Sequence, residues 1–344
     1  VKYCAWLAAL AGALLLIGLV IHEGAGSVAL ALASAGWGLL WLLPAHAAAL
    51  LLDVVAWQIL LRRVDRARRA SLAFLYWVAT VREGVNRLLP TANIGGDLVG
   101  IRLARLRIED GASVAASVIF EMLLTLVNQY LFIALGVVIF VATVKHSTPL
   151  WLVLTGLVAA LLPVLALAVL LRHGELFWRI EQMAVRLLGR DHRFLAGLDG
   201  ARLDEAIREL YRHPGTTLRA LLWQLSGMLL GSLETWIALM LFNHPVSIAT
   251  AVALEAMTQA TRVLLFMVPL GLGVQEAGIV VFAGLTGITG ATGLSVALAR
   301  RLREILFGVP ALLSWQWYEA RLLRAAYRAA RTGVAATSAS AVRG

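Results

Sequence analysis

Two apolar stretches of this chain carry acids and arginines at helical spacing. In the first, Arg82, Glu83, Asn86 and Arg87 precede Pro90 and the tip Gly95-Gly96-Asp97, and Glu121 follows. In the second, Glu255 and Arg262 precede Pro269, Gly271, Gly273 and Glu276, and Arg300, Arg301, Arg303 and Glu304 follow. Glu83 and Arg87 are four residues apart, as are Arg300 and Glu304, the spacing of ion pairs on one helix face. Asp97 and Glu276 have the chemistry to take a proton or an ammonium group. Arg82, Arg262 and Arg300 have the planar fork that grips a phosphate. The plainer reading is that these charges only neutralise one another. Replacing a buried pair by apolar residues is often nearly free, so keeping so many points to a polar substrate.

The surroundings make these charges expensive. Of 344 residues 60% are apolar and 15% charged, with a mean hydropathy of +0.83. That excludes a disordered chain or an ordinary soluble enzyme and points to a membrane protein. At roughly 3 kcal/mol per charge at the bilayer centre, Arg82, Glu83, Arg87, Asp97, Glu121, Glu255, Arg262 and Glu276 facing lipid would cost on the order of 24 kcal/mol. A folded protein has only about 5–15 kcal/mol of net stability. The charges must therefore pair or line a hydrated cavity.

The elements that position them are all helical. Full crossings are expected at 4–21, 38–61, 111–143, 150–171, 216–241 and 291–317, each close to the length a bilayer requires. Residues 24–37 read as a surface helix. The loop 62–69, with five arginines and one acid, is expected in the cytoplasm, whereas 145–149 and 242–245 are weakly charged and external. Residues 72–106 begin and end beside cytoplasmic arginines, and 246–288 begin and end on the other side. Both are expected to be re-entrant helical hairpins, one entering from each face.

The fold class is thus an all-α polytopic membrane protein with about six transmembrane helices and two re-entrant hairpins in an inverted-repeat arrangement. Residues 1–331 form a single integral membrane domain. Its first half, 38–143, holds hairpin 72–106, and its second half, 216–317, holds hairpin 246–288. A cytoplasmic helical hairpin at 172–213 lies between them, and a disordered tail at 332–344 follows. Both termini are expected in the cytoplasm.

An internal echo supports the inverted repeat. Pro90 stands seven residues before Asp97, and Pro269 seven before Glu276, with two glycines in each interval. Ser117-Val118 before Glu121 is matched by Ser295-Val296 before Arg300. Packing glycines and kinking prolines would explain either motif alone. Together, in opposite orientation, they fit broken helices that meet around a substrate near the midplane.

Other chemistries find no support. There is no HExxH, no GxxxxGK[ST] and no GxSxG, and Cys4 is the only cysteine, so no metal, cofactor or catalytic residue is expected. The net charge of +10, with 28 of 30 basic residues arginine, resembles a nucleic-acid binder. The loop arginines lack interleaved aromatics, however, and their position beside spans accounts for them. Four arginines from Arg321 to Arg331 form a basic face suited to anionic headgroups. Asp53, Glu234 and His46 read as ordinary buried polar contacts.

VREGVNRLLPTANIGGD (81–97) with ASVIFE (116–121) resembles the first conserved block of the lysylphosphatidylglycerol synthase transmembrane-region family. VPLGLGVQEAG (268–278) with LSVALARRLREILFGVP (294–310) is similar to its second block, although Leu270 stands where many relatives have Gly or Pro. The wording looks closest to the hopanoid-biosynthesis-associated members. The resemblance implies a bacterial inner-membrane protein related to a flippase of aminoacylated phosphatidylglycerol. By motif it carries over Arg82, Glu83, Asn86, Pro90, Gly95, Gly96 and Asp97, then Gly271, Gly273, Glu276, Arg300 and Arg303. It also implies that the soluble aminoacyltransferase domain is missing and that the chain is not an enzyme.

The expected function is therefore translocation of a hopanoid or an anionic or aminoacylated phospholipid. The expected partners are membrane lipids, with no nucleic acid, and a second copy or a lipid-biosynthesis protein as further options. The alternatives are an intramembrane lipid-modifying enzyme using Asp97 or Glu121, and a non-catalytic member of a lipid-biosynthesis complex.

Overall fold

Ten α-helices make up the described part of the chain. A computed structural model describes residues 25–62, 68–89, 94–143, 200–264 and 273–341, together with 21, 65 and short pieces between 165 and 183. The helices are α1 (Ala25–Ala35), α2 (Leu42–Leu61), α3 (Leu72–Leu88), α4 (Gly95–Ala104) and α5 (Gly111–Thr143), then α6 (Gly200–Tyr211), α7 (Pro214–Leu241), α8 (Ile248–Leu264), α9 (Val274–Leu285) and α10 (Gly290–Ala341). A 3-10 turn, Gly36–Trp41, joins α1 to α2, and no strand occurs among the described residues.

Three stretches are long and apolar enough to cross a bilayer: Leu32–Leu61, Gly111–Ala142 and Pro214–Leu241. They coincide with the expected crossings at 38–61, 111–143 and 216–241. The expected crossing at 291–317 lies within α10, which carries charges at Arg300, Arg301, Arg303 and Glu304. The expected crossing at 4–21 lies outside the described residues save Ile21, and that at 150–171 lies mostly outside them. Helix α10 continues to Ala341, through most of the tail expected to be disordered. Its sequence there, VAATSASA, is rich in alanine, which extends a nucleated helix at little cost.

Each expected hairpin is a broken helix pair, α3 with α4 and α8 with α9, and its arms pack together. The first tip (90–93) and most of the second (265–272) lie outside the described residues, Pro90, Pro269 and Gly271 among them. Helix α3 starts on Ser71, whose hydroxyl accepts from the Phe74 amide at 3.3 Å. At the far end of hairpin α3–α4, Asn86 holds the two arms together by accepting from the Gly96 amide at 2.8 Å. A Cβ at Gly96 would overlap the carbonyl oxygen of Arg82, so only glycine lets the arms approach this closely.

Helix contacts repeat between the halves. Helix α2 packs on α7, while α3 packs on α10 and α8 packs on α5, so each hairpin leans on the closing helix of the other half. At the α3–α10 crossing the backbones of Gly84 and Gly308 touch. One apolar cluster surrounds the first hairpin and uses Val54, Trp57 and Leu61 of α2 with Ala311 of α10. Another surrounds the second and uses Leu42 of α2 with Val296 and Ala299 of α10. The two hairpins therefore sit at opposite ends of these shared helices, and the charged residues lie between.

At the start of α5, Asp110 is an N-cap: its carboxylate accepts from the Ser113 amide at 3.4 Å and hydroxyl at 2.7 Å, and Arg202 of α6 is 3.2 Å away. Desolvation pushes the Asp110 carboxyl up, but Ser113 and Arg202 outweigh it and hold it below the usual carboxylate range. The stabilisation is present above the unfolded-state value and is lost as pH falls through the lowered one. Asp110→Ala is expected to cost about 1 kcal/mol at neutral pH and nothing in strong acid, read as the difference in thermal midpoint from wild type in detergent. Opposite this cap, Asp204 of α6 accepts from the amides of Phe177 and Trp178, tying together the two ends of the expected 172–213 hairpin.

Candidate functional site

A cavity of about 830 Å³ opens between the two hairpins, lined by α2, α3, α4, α5, α7, α8, α9 and α10. Its walls hold all the described residues that bear the expected internal charges. Arg82 of α3 donates to Asp97 of α4 at 2.7 Å and to Glu121 of α5 at 2.8 Å, and its guanidinium lies 4.9 Å from the Trp57 ring. This knot joins both arms of the first hairpin to its closing helix.

The second half builds the same joint with the charges reversed. Arg300 of α10 donates to Glu255 of α8, which also accepts from Thr235 at 2.8 Å. Arg301 donates to Glu276 of α9 at 2.7 Å and to Glu304 at 2.9 Å. In the first half the cation sits on the hairpin, and in the second half the cations sit on the closing helix.

A third group crosses between the halves. Arg303 of α10 donates to Glu234 of α7 at 2.9 Å and lies 3.5 Å from Glu83 of α3. His46 of α2 presents Nε2 to Glu83 at 2.8 Å and Nδ1 to Glu234 at 3.5 Å, while Phe307 meets its ring edge-on. Arg87 of α3 reaches Glu304 at 3.8 Å and Glu83 at 3.9 Å. The expected Glu83–Arg87 pair is therefore the longer of Glu83's contacts, and Arg300 goes to another helix while Glu304 takes Arg301 and Arg87. For Glu83 and Arg300 the shorter partners lie on neighbouring helices, whereas Glu304 finds its shortest one, Arg301, on its own helix.

The sequence did not single out His46 and Glu234, which stand at the centre of the crossing group. Each stands on a largely apolar helix with no charged residue three or four positions away to mark it. Arg262 belongs to α8, but its side chain lies outside the described residues. Gly273 precedes α9 with a φ of +75°, a backbone state that favours glycine.

The chemistry of the cavity is dominated by acids. Among the described residues lining it, eight carboxylates face five arginines and one histidine. Even with Arg262 added, acids would outnumber arginines. Glu276 is 1% exposed, and its Oε2 has no hydrogen-bond partner. One wall is neutral and polar: Gln129 meets Gln259 at 3.3 Å, and Gln259 meets Glu255 at 3.1 Å. Among the described residues no three His, Cys, Asp or Glu side chains are grouped to hold a metal.

The model of the family described as lysylphosphatidylglycerol synthase TM region matches residues 6–311, which takes in both hairpins, the cavity and all three ion-pair groups. No curated protein and no solved structure matches the chain. With the match spanning most of its length, the chain belongs to the lysylphosphatidylglycerol synthase transmembrane-region family.

Proposed function

We propose that this protein moves a polar-headed membrane lipid between leaflets of the bacterial inner membrane, the headgroup in the cavity and the hydrocarbon in the bilayer. The observation that carries this reading is a charged cavity of about 830 Å³ set between two broken helix pairs in a chain with membrane-length apolar helices. Such a cavity shields a headgroup from hydrocarbon, while the helices around it leave room for acyl or polycyclic chains outside. Family membership points to membrane-lipid function, and the wording of its blocks favours a hopanoid or an aminoacylated phospholipid as cargo. The excess of acids favours a headgroup that brings hydrogen-bond donors. In this reading the loop at 62–69 and both termini face the cytoplasm.

The chemistry of an intramembrane lipid enzyme has less support. Asp97 and Glu121, the acid and base it would use, are both held by Arg82. The test is translocation of headgroup-labelled lipid in proteoliposomes. Glu276→Gln removes the charge of a cavity-wall carboxylate whose buried Oε2 has no hydrogen-bond partner. It is expected to slow transport about 10- to 100-fold, the worth of one charge-assisted hydrogen bond. Equal rates for wild type and variant would remove Glu276 from the site.

A further inference from the structure

Asp53 lies on α2 and lines the cavity where α2 meets α7, the contact between the first helices of the two halves. Its carboxylate rests against bare backbone: a Cβ on Gly227 of α7 would stand 2.6 Å from Oδ1. Among the described residues, none makes a hydrogen bond or ion pair to it. The other carboxylates of the cavity each have a cationic partner, so among the described residues lining it Asp53 alone has none.

The charges around Asp53 come from every side. Glu121 of α5 and Glu83 of α3 are like charges, and Arg82 of α3 and His46 of its own helix are opposite ones. Glu234 of α7 and Arg303 of α10 line the same cavity but are bonded to each other. Arg82 and His46 are likewise committed, to Asp97, Glu121, Glu83 and Glu234. A carboxylate in an apolar cavity wall that no cation or donor contacts is relieved most simply by taking a proton. Glu276 shares this feature in part, since its Oε2 is buried without a hydrogen-bond partner although its Oε1 accepts from Arg301.

We propose that Asp53 is a proton-carrying site of the cavity and that its loading and release couple lipid movement to the proton gradient. The coupling rests on the transport reading above, whereas the proton site does not. Asp53 takes a proton when the cavity opens to one side and gives it up when it opens to the other. The α2–α7 contact is where such a change of exposure shifts the halves against each other.

Two measurements test this separately. Infrared difference spectroscopy of the purified protein in detergent, titrated from acid to alkaline pH, is expected to show a carboxylic-acid C=O band that Asp53→Asn removes. A spectrum that is the same in wild type and variant overturns the proton site. In proteoliposomes with labelled lipid, a one-unit pH gradient is expected to shift the wild-type steady-state lipid distribution about tenfold, the ratio for one coupled proton. The gradient leaves the distribution unchanged in Asp53→Asn. A wild type that moves lipid but ignores the gradient overturns the coupling, and this includes the case in which Asp53 instead holds a cationic headgroup. A wild type that moves no lipid defeats the transport reading, and the infrared titration still decides the site. Gly227→Ala, which pushes a methyl against Oδ1, is expected to shift the band without removing it.

Discussion

Arg82→Ala is expected to destabilise the protein by about 3–5 kcal/mol, the cost of breaking a buried charge cluster by removing one member. The variant would leave Asp97 and Glu121, both 8% exposed, facing each other without a cation. It would also empty the space that Gly100 provides, where a Cβ would overlap the Arg82 stem. Hairpin α3–α4 and helix α5 would lose their common joint. A triple variant, Arg82→Met with Asp97→Asn and Glu121→Gln, is expected to recover most of the loss, because exchanging a whole buried ion cluster for neutral groups is close to neutral. Unfolding midpoints in detergent measure both. An Arg82→Ala protein as stable as wild type would show that the cluster is solvated enough to stand uncompensated.

The contrast between these residues and the crossing group explains what could be read in advance. The two packed helix pairs were legible because Pro and Gly break their apolar segments. The echo of Pro90–Asp97 in Pro269–Glu276 also correctly joined distant segments, which the structure places around one cavity. Pairing was less legible. Local spacing matched Glu83 to Arg87 and Arg300 to Glu304, yet the short bonds of Glu83 and Arg300 go to His46 and Glu255. An intrahelical rule knows only the helix it is applied to. Which face of α7 meets α10, and so which arginine finds Glu234, depends on helix packing that no spacing encodes. Asp53 was unreadable for a related reason: its distinction is the lack of a partner, which exists only once every neighbour is placed.

The Arg303 joint should separate movement from stability. Among the described arginines, Arg303 alone reaches both the opening helix of its own half, at Glu234, and the hairpin of the other, at Glu83. Arg303→Gln leaves Glu83 with His46 and a more distant Arg87, and Glu234 with His46 and Arg300 at 4.0 Å. It is expected to cost about 3–5 kcal/mol and to slow lipid translocation by about 100-fold or more. Adding Glu234→Gln removes one stranded charge and leaves Glu83 with His46 at 2.8 Å and Arg87 at 3.9 Å. Stability should then return toward wild type, and the amide introduced at 303 can still donate to Glu83 across the halves. If the joint is only a strut, translocation in proteoliposomes recovers with stability. If the halves must separate and re-form there in each cycle, translocation stays slow, because a neutral amide opposite Glu83 lacks the long-range attraction that draws the halves back together in a low-dielectric interior. The second outcome is expected, since Arg82, Arg300 and Arg301 brace each hairpin within its own half, whereas Arg303, Arg87 and His46 alone among the cavity cations bridge the halves.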